Sequence, residues 1–179
     1  EEGELKEIEQ SQNQKDEISA ELQTVLLSDI LDQSINEMKK SAQQKNIRIV
    51  NLTDPKLTVS ADPHMMSVIV RNLLSNAVKF VDEGGTVQLE TKQTGDMVEL
   101  MIIDDGKGIE PEKLETIFEP FRKVTKGTKG ETGTGLGLSI CSDFMDKQGG
   151  EINCNSKPGE GTTFSIKLKK AAANLAQSA

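Results

Sequence analysis

No run of apolar residues approaches the roughly 18 to 20 that a membrane-crossing helix needs, and the longest stretches, such as Val98 to Ile103, read as strands. Cysteine is scarce. Cys141 and Cys154 lack metal-ligand spacing and are too few for a disulfide framework, so reduced thiols in a cytoplasmic setting are expected. Basic residues are outnumbered, 21 Lys and Arg against 29 Asp and Glu for a net charge of −8, which argues against general nucleic-acid binding and leaves any anionic ligand in need of a local basic site. The chain does not open on Met and carries no signal-peptide pattern, so it reads as a piece of a longer protein. There is no GxxxxGK[ST] phosphate loop, no internal repeat, and a single histidine, His64. A length of 179 residues fits one domain with an additional segment at one end.

Residues 1–23 are charged and Gln-rich, with apolar residues too sparse for a core, and read as a linker or the end of a longer helix. The folded domain is expected over 24–170, with a frayed Ala-rich tail at 171–179. Ser28 is placed to cap a helix whose first turn carries Asp29 and Asp32 and whose apolar stripe is Leu31, Ile35, Met38 and Ala42. Strands are expected near Ile47 to Asn51 and Leu57 to Ser60, then a helix opened by Asp62 and Pro63 and running to about Phe80. Two antiparallel strands, Thr86 to Lys92 and Met97 to Asp104, should flank the turn at Thr94 to Asp96. After a short helix at Pro111, the polar, Gly-rich stretch from Lys123 to Gly135 should be mobile, followed by a helix from about Leu136 to Gln148. Strands near Glu151 to Ser156 and Thr162 to Leu168 close the pattern.

Three segments carry chemistry. At about 100° per residue, Met66, Val70, Leu73 and Ala77 form the core stripe of one helix while Asn72, Asn76 and Lys79 share another face. Two amides and an ammonium in a row suit a hard cation held beside phosphate; the same row also suits a solvated polar face with backbone-bonded amides. In IIDDGKGI a carboxylate, Asp104, ends an apolar strand, and Gly106 and Gly108 would let a flat ring approach the backbone, although the segment reads equally as a plain turn. In GTGLGLSI, Gly133, Gly135 and Gly137 lead into a helix whose N-terminal amides could take phosphate oxygens. Around it Arg122, Lys123, Lys126 and Lys129 face only Glu119 and Glu131, as in a phosphate-covering lid or in a flexible surface loop.

Order adds specificity. NLLSNAVKF, DDGKG, IFEPF, GTGLGLSI and GEGTTF resemble, in sequence and succession, the N, G1, F, G2 and terminal G boxes of two-component sensor histidine kinases, over about Thr24 to Leu168. The resemblance implies a Bergerat-type (GHKL) α/β two-layer sandwich: a mixed, largely antiparallel sheet packed against three helices, with a mobile ATP lid. It implies ATP and Mg²⁺ as ligands, with Asn76 on the metal, Asn72 one turn earlier, Lys79 on the phosphates and Phe80 against the adenine. Asp104 would accept from the adenine amino group, with Gly106, Gly108 and Ile109 beneath the base and Thr162 or Thr163 in support. Gly133, Thr134, Gly135, Leu136, Gly137 and Leu138 would cradle phosphate. Phe118 and Phe121 match the F-box aromatics, and one of Arg122, Lys123, Lys126 and Lys129 would touch the γ-phosphate.

The implied activity is phosphotransfer to a histidine on a dimerisation/phosphoacceptor domain, with a response regulator as indirect partner in a phosphorelay and a homodimeric, membrane-anchored parent. The chain itself is expected to be monomeric, to touch neither membrane nor nucleic acid, and not to phosphorylate itself, because the acceptor motif is missing and His64 reads as a surface residue. ATPases of the wider superfamily place a Glu where this chain has Asn72, an amide that cannot take a proton; slow hydrolysis is expected. Two rivals share these residues: a serine kinase of the anti-sigma-factor type, and a non-catalytic module that binds partners in a nucleotide-dependent way.

Overall fold

The computed structural model describes residues 18–120 and 125–172. The expected frayed tail from 173 onward, most of the linker, and Phe121, Arg122 and Lys123 lie outside the described residues. In chain order the elements are β1 (Gln23–Leu26), α1 (Leu27–Gln44), β2 (Arg48–Leu52), β3 (Thr58–Ala61), α2 (Pro63–Phe80), β4 (Thr86–Thr94), β5 (Met97–Asp104), α3 (Pro111–Leu114), α4 (Gly137–Lys147), β6 (Glu151–Lys157) and β7 (Gly161–Lys169).

Five strands lie side by side in the order β2-β4-β5-β7-β6. The β2/β4 pair is parallel, as a crossover through β3 and α2 requires, and the other neighbours run antiparallel. Side chains alternate across the sheet, so Val87, Leu89, Val98, Leu100, Ile102, Phe164, Ile166 and Leu168 share one buried face. Three helices cover that face: Leu27, Ile30 and Leu31 from α1, the apolar side of α2, and Leu138, Cys141 and Met145 from α4 join one core. This is the mixed, largely antiparallel sheet backed by three helices that the motifs implied.

Helix α2 carries more buried side chains than any other described element. Met65, Met66, Ile69, Val70, Leu73, Leu74, Ala77 and Val78 are all buried, two adjacent stripes rather than the single one read from the sequence. Its start is fixed chemically: Asp62 Oδ1 accepts from the N–H groups of His64 at 2.9 Å and Met65 at 3.0 Å, and Pro63 occupies the first position. The second oxygen of Asp62 accepts from Glu21 N–H at 2.9 Å, tying the incoming chain to the same cap.

Two local expectations fail. A second, two-stranded sheet pairs β1 with β3 antiparallel, and neither its pairing nor β1 was read from the sequence. Because β1 runs straight into α1, the cap residue is Leu26, without a side-chain bond, and Leu27 N–H is satisfied by Leu57 O at 3.1 Å. Ser28 therefore sits inside the first turn, where its hydroxyl donates to Pro55 O at 3.2 Å and caps nothing.

Burial alone would raise the Asp62 pKa, but the bonds from Glu21, Met65 and His64, with the His64 charge, outweigh it and hold the carboxyl below its ordinary value. A depressed carboxylate stabilises the fold above its unfolded pKa and loses that effect as pH falls through the folded one. Asp62→Ala should thus cost about 1–2 kcal/mol in urea unfolding at pH 7, with the deficit shrinking in acid, whereas Asp62→Asn should keep most of the cap.

Candidate functional site

The polar row of α2 faces a cleft rather than bulk solvent. One cavity of about 310 Å³ is bounded by Asn76 and Phe80 on α2, Asp104 at the end of β5, Gly108 and Ile109 in the following loop, and Ile117, Leu138, Thr162 and Phe164. A second, of about 180 Å³, is bounded by Asn72, Asn76 and Lys79 against Gly133, Thr134, Gly135, Gly137 and Leu138. Asn76, Phe80, Thr125 and Leu138 line both, so the two cavities form one cleft with a largely apolar end and a Gly-rich, cationic end.

Asp104 sits at the apolar end and is only 6% exposed. Its Oδ1 accepts from Gly106 N–H at 2.8 Å. Burial pushes its pKa up to about 6; backbone bonds from Gly106 and Thr162 work against the rise, and the neighbouring Asp105 charge adds to it. A carboxylate so placed gains strongly from a donor group entering the cavity.

At the other end Lys79 has its pKa lowered, first by burial and then by the nearby Lys107 ammonium, while Glu131 acts in the opposite sense. The Lys79 and Lys107 ammoniums stand 5.2 Å and 5.1 Å from the centroid of the Phe80 ring. Asn72 Nδ2 donates to Val68 O at 2.8 Å, one turn back along α2, so this amide is held by backbone as the alternative reading of the row allowed. Asn76 differs. Half-buried where the cavities meet, its amide has no hydrogen-bond partner among the described residues.

Several expected residues take other parts. Alternation along β7 puts Thr162 and Phe164 on the cavity side and Thr163 on the opposite face of the sheet, so Thr163 does not line the site. Thr162 Oγ1 instead pairs with Ser156 Oγ at 2.8 Å, and Ser156 Oγ also accepts from Ile109 N–H at 2.9 Å, pinning the loop to the β6-β7 hairpin. Phe118 lines neither cavity; its ring meets Phe164 edge-on at 6.4 Å and backs the wall that Phe164 forms. Gly106 and Gly108 are constrained to glycine by the protein's own backbone. A side chain at Gly106 would strike the Phe80 carbonyl, and one at Gly108, where φ is +72°, the Lys157 carbonyl. Leu136 is the cap residue of α4 and lines neither cavity. His64 is exposed at the start of α2, outside the cleft.

Sequence reading missed Lys107, Lys113 and Thr125, which also line the apolar cavity, and Ser156 beneath it. Lys107 had a visible signal, a cation between two motif glycines. Lys113 and Thr125 had none, since only the folding of the chain between β5 and α4 brings them to the cleft.

The raised Asp104 pKa has a measurable cost. A carboxyl whose folded pKa lies above its unfolded value contributes stability that is full below the unfolded pKa and is lost as pH rises through the folded one, here between 3.8 and about 6. Asp104→Asn, which copies the protonated form, should raise the unfolding free energy of the ligand-free chain at pH 8 by on the order of 1 kcal/mol or more. At pH 4 the gain should disappear; denaturant titrations at the two pH values measure it.

The described geometry matches known proteins. Residues 61–172 match the family of histidine kinase-, DNA gyrase B-, and HSP90-like ATPases. The sensor histidine kinase ZraS of Salmonella typhimurium is 37% identical over 149 residues, which is 82% of this chain and 31% of that protein. The histidine protein kinase DivJ of Caulobacter vibrioides is 39% identical over 113 residues, 63% of this chain and 19% of that protein. Among solved structures, the catalytic domain of histidine kinase ThkA superposes with a TM-score of 0.73 at 28% identity, covering 84% of this chain and 96% of that one. Full-length ShkA in complex with AMPPNP gives 0.75 at 31% identity, covering 88% of this chain and 33% of that one. The chain spans about a third of the length of a relative such as ZraS. With the cleft, the helix-backed sheet and the matched residues in agreement, the chain belongs to the histidine kinase-, DNA gyrase B- and HSP90-like ATPase family, as the ATP-binding catalytic domain of a sensor histidine kinase.

Proposed function

We propose that residues 24–170 bind Mg-ATP in this cleft and pass its γ-phosphoryl group to a histidine on a separate dimerisation/phosphoacceptor domain, as one step of two-component signalling on the cytoplasmic side. The observation that carries the reading is the continuity of the cleft: a buried carboxylate at one end and an ammonium with Gly-rich backbone at the other, joined through Asn76 and Phe80. The relative ShkA, solved with AMPPNP, supports an adenine nucleotide as the occupant.

Each end suits part of such a ligand. Asp104 would accept from the exocyclic amino group of the base, and Phe80, Ile109, Ile117 and Phe164 would supply apolar walls. Lys79 and the first turn of α4, reached through Gly135, Gly137 and Leu138, would face the phosphates. The residues also fit a magnesium ion. Among the described residues Asn76 presents an amide with no partner, which suits one ligand to a hard cation held mainly by phosphate oxygens and water. When bound, Mg²⁺ would supply positive charge to the β- and γ-phosphoryl oxygens.

This chain would contribute binding, orientation and charge rather than proton transfer. Asn72 is an amide bonded to backbone, so at the position where superfamily ATPases carry a Glu there is no base to activate water. The incoming nucleophile would be supplied by the acceptor domain, and productive alignment would come from docking the two domains. No described helix is long and apolar enough to cross a membrane. A response regulator would receive the phosphoryl group from the acceptor histidine, not from this domain.

Two measurements test the reading. Asn76→Ala should abolish Mg²⁺-dependent nucleotide binding in titration calorimetry, and an unchanged isotherm would overturn the role given to that amide. With radiolabelled ATP the chain alone should acquire no acid-labile phosphate, whereas an isolated dimerisation/phosphoacceptor domain added in trans should become labelled on histidine; stoichiometric label on this chain would contradict the proposal.

A further inference from the structure

Among the described residues, the least exposed cation lies outside the cleft. Lys45, just after α1, is 4% exposed. Its ammonium donates to Val78 O at 2.9 Å, Lys79 O at 3.1 Å and Glu131 Oε1 at 3.1 Å. The first two acceptors are carbonyls of the last turn of α2, where a cation is favoured by the helix dipole. The third belongs to the Gly-rich segment, more than eighty residues away in sequence.

Glu131 uses both carboxylate oxygens and its backbone. Oε2 accepts from Lys129 N–H at 2.8 Å, and the Glu131 carbonyl accepts from Gly127 N–H at 2.8 Å, closing a compact turn over 127–131. That turn is seated on the end of α2: Thr128 N–H donates to Lys79 O at 3.0 Å and Thr128 Oγ1 to Val81 O at 2.9 Å. Gly127 lies so close that a Cβ there would come within 2.6 Å of Lys79 Cγ, and it would also strike Glu131 Oε2.

The geometry points to Lys45 and Glu131 as a latch that holds the 127–131 turn on the end of α2, with Lys45 a positioning residue that acts on the cleft through Lys79 and Glu131. The argument is one of shared charge. Lys45 fixes the backbone carbonyl of Lys79, and the Glu131 carboxylate it recruits lies in the field of the Lys79 ammonium. An entering triphosphate brings several negative charges to that ammonium and is repelled by Glu131, so phosphate binding and the closed latch oppose each other. The inference deepens the nucleotide reading above and rests on it for its second arm, but not for its first.

The first arm uses no nucleotide. Limited trypsin digestion of the chain should cut after Lys126 and Lys129 about 3- to 10-fold faster in Glu131→Gln than in the parent, while cleavage elsewhere and the melting temperature stay close to the parent's. The second arm measures ATP by titration: Glu131→Gln should bind roughly threefold or more tightly. Lys45→Met, which also strips two helix carbonyls of a partner, should loosen the same two sites; if it does not fold, Glu131→Gln decides alone. Unchanged cleavage after Lys126 and Lys129, or weaker ATP binding by Glu131→Gln, would overturn the latch. Faster local cleavage in Glu131→Gln, with the parent binding no ATP, would uphold the latch and sink the nucleotide reading instead.

Discussion

Every functional feature depends on one helix that has to satisfy two environments at once. α2 buries eight apolar side chains against the sheet and its neighbouring helices, and the same turns present Asn72, Asn76 and Lys79 to the cleft. A close-packed interior resists rotation of such an element, because turning it by even one residue would drive amides into the core and methyls into the cleft. Asn76 is thereby aimed by packing rather than by a bond to its own amide, while Asn72 is held in addition by Val68 O. That is why Asn76 can remain without a partner among the described residues and still be well placed.

Both ends of α2 are secured by charge. At the start, Asp62 gathers three N–H groups, one of them from the chain leading into β1. At the other end Lys45, Thr128 and the Lys107 N–H take the carbonyls of Val78, Lys79, Phe80 and Val81. Opposite the helix, β5 pairs Asp104 with Val87 on one side and Thr162 on the other, which fixes its backbone between two neighbouring strands. The raised pKa at Asp104 follows from its burial, which keeps the carboxyl partly desolvated.

Periodicity made the layers legible before the fold was seen. The 3.6-residue stripe of α2, the alternation in β4, β5 and β7 and the Asp-Pro cap each depend on neighbours within a few residues, so the chain displays them locally. Features set by distant contacts were not legible. β1 is four residues whose strand identity comes only from pairing with β3, and Ser28 lost its capping role because β1 leaves α1 no free turn to cap. Thr162 and Thr163 are adjacent residues of one type, and only the register of β7 against β5 says which faces the cleft. Lys45 and Glu131 look like ordinary surface charges until the chain folds.

The glycine-rich segment shows the same division in miniature. Composition alone suggested a loop whose glycines confer mobility, yet three of them lie in close approach to α2. A Cβ at Gly137 would sit 2.6 Å from Asn72 Oδ1, one at Gly133 2.8 Å from Lys79 Nζ, and one at Gly127 2.7 Å from the Lys79 carbonyl. Lys79 Nζ is the end of a flexible chain and could yield; Asn72 is held by its bond to Val68, and the Lys79 carbonyl is fixed in α2. The strictest requirement for glycine thus falls where the segment touches rigid parts of α2, and it is a requirement for close approach. Mobility would have to come from the remaining positions, such as Gly130, whose φ is +79° and whose surroundings are open. A segment built this way can lie tightly on the helix and still lift from it as a unit, which a uniformly flexible loop could not do.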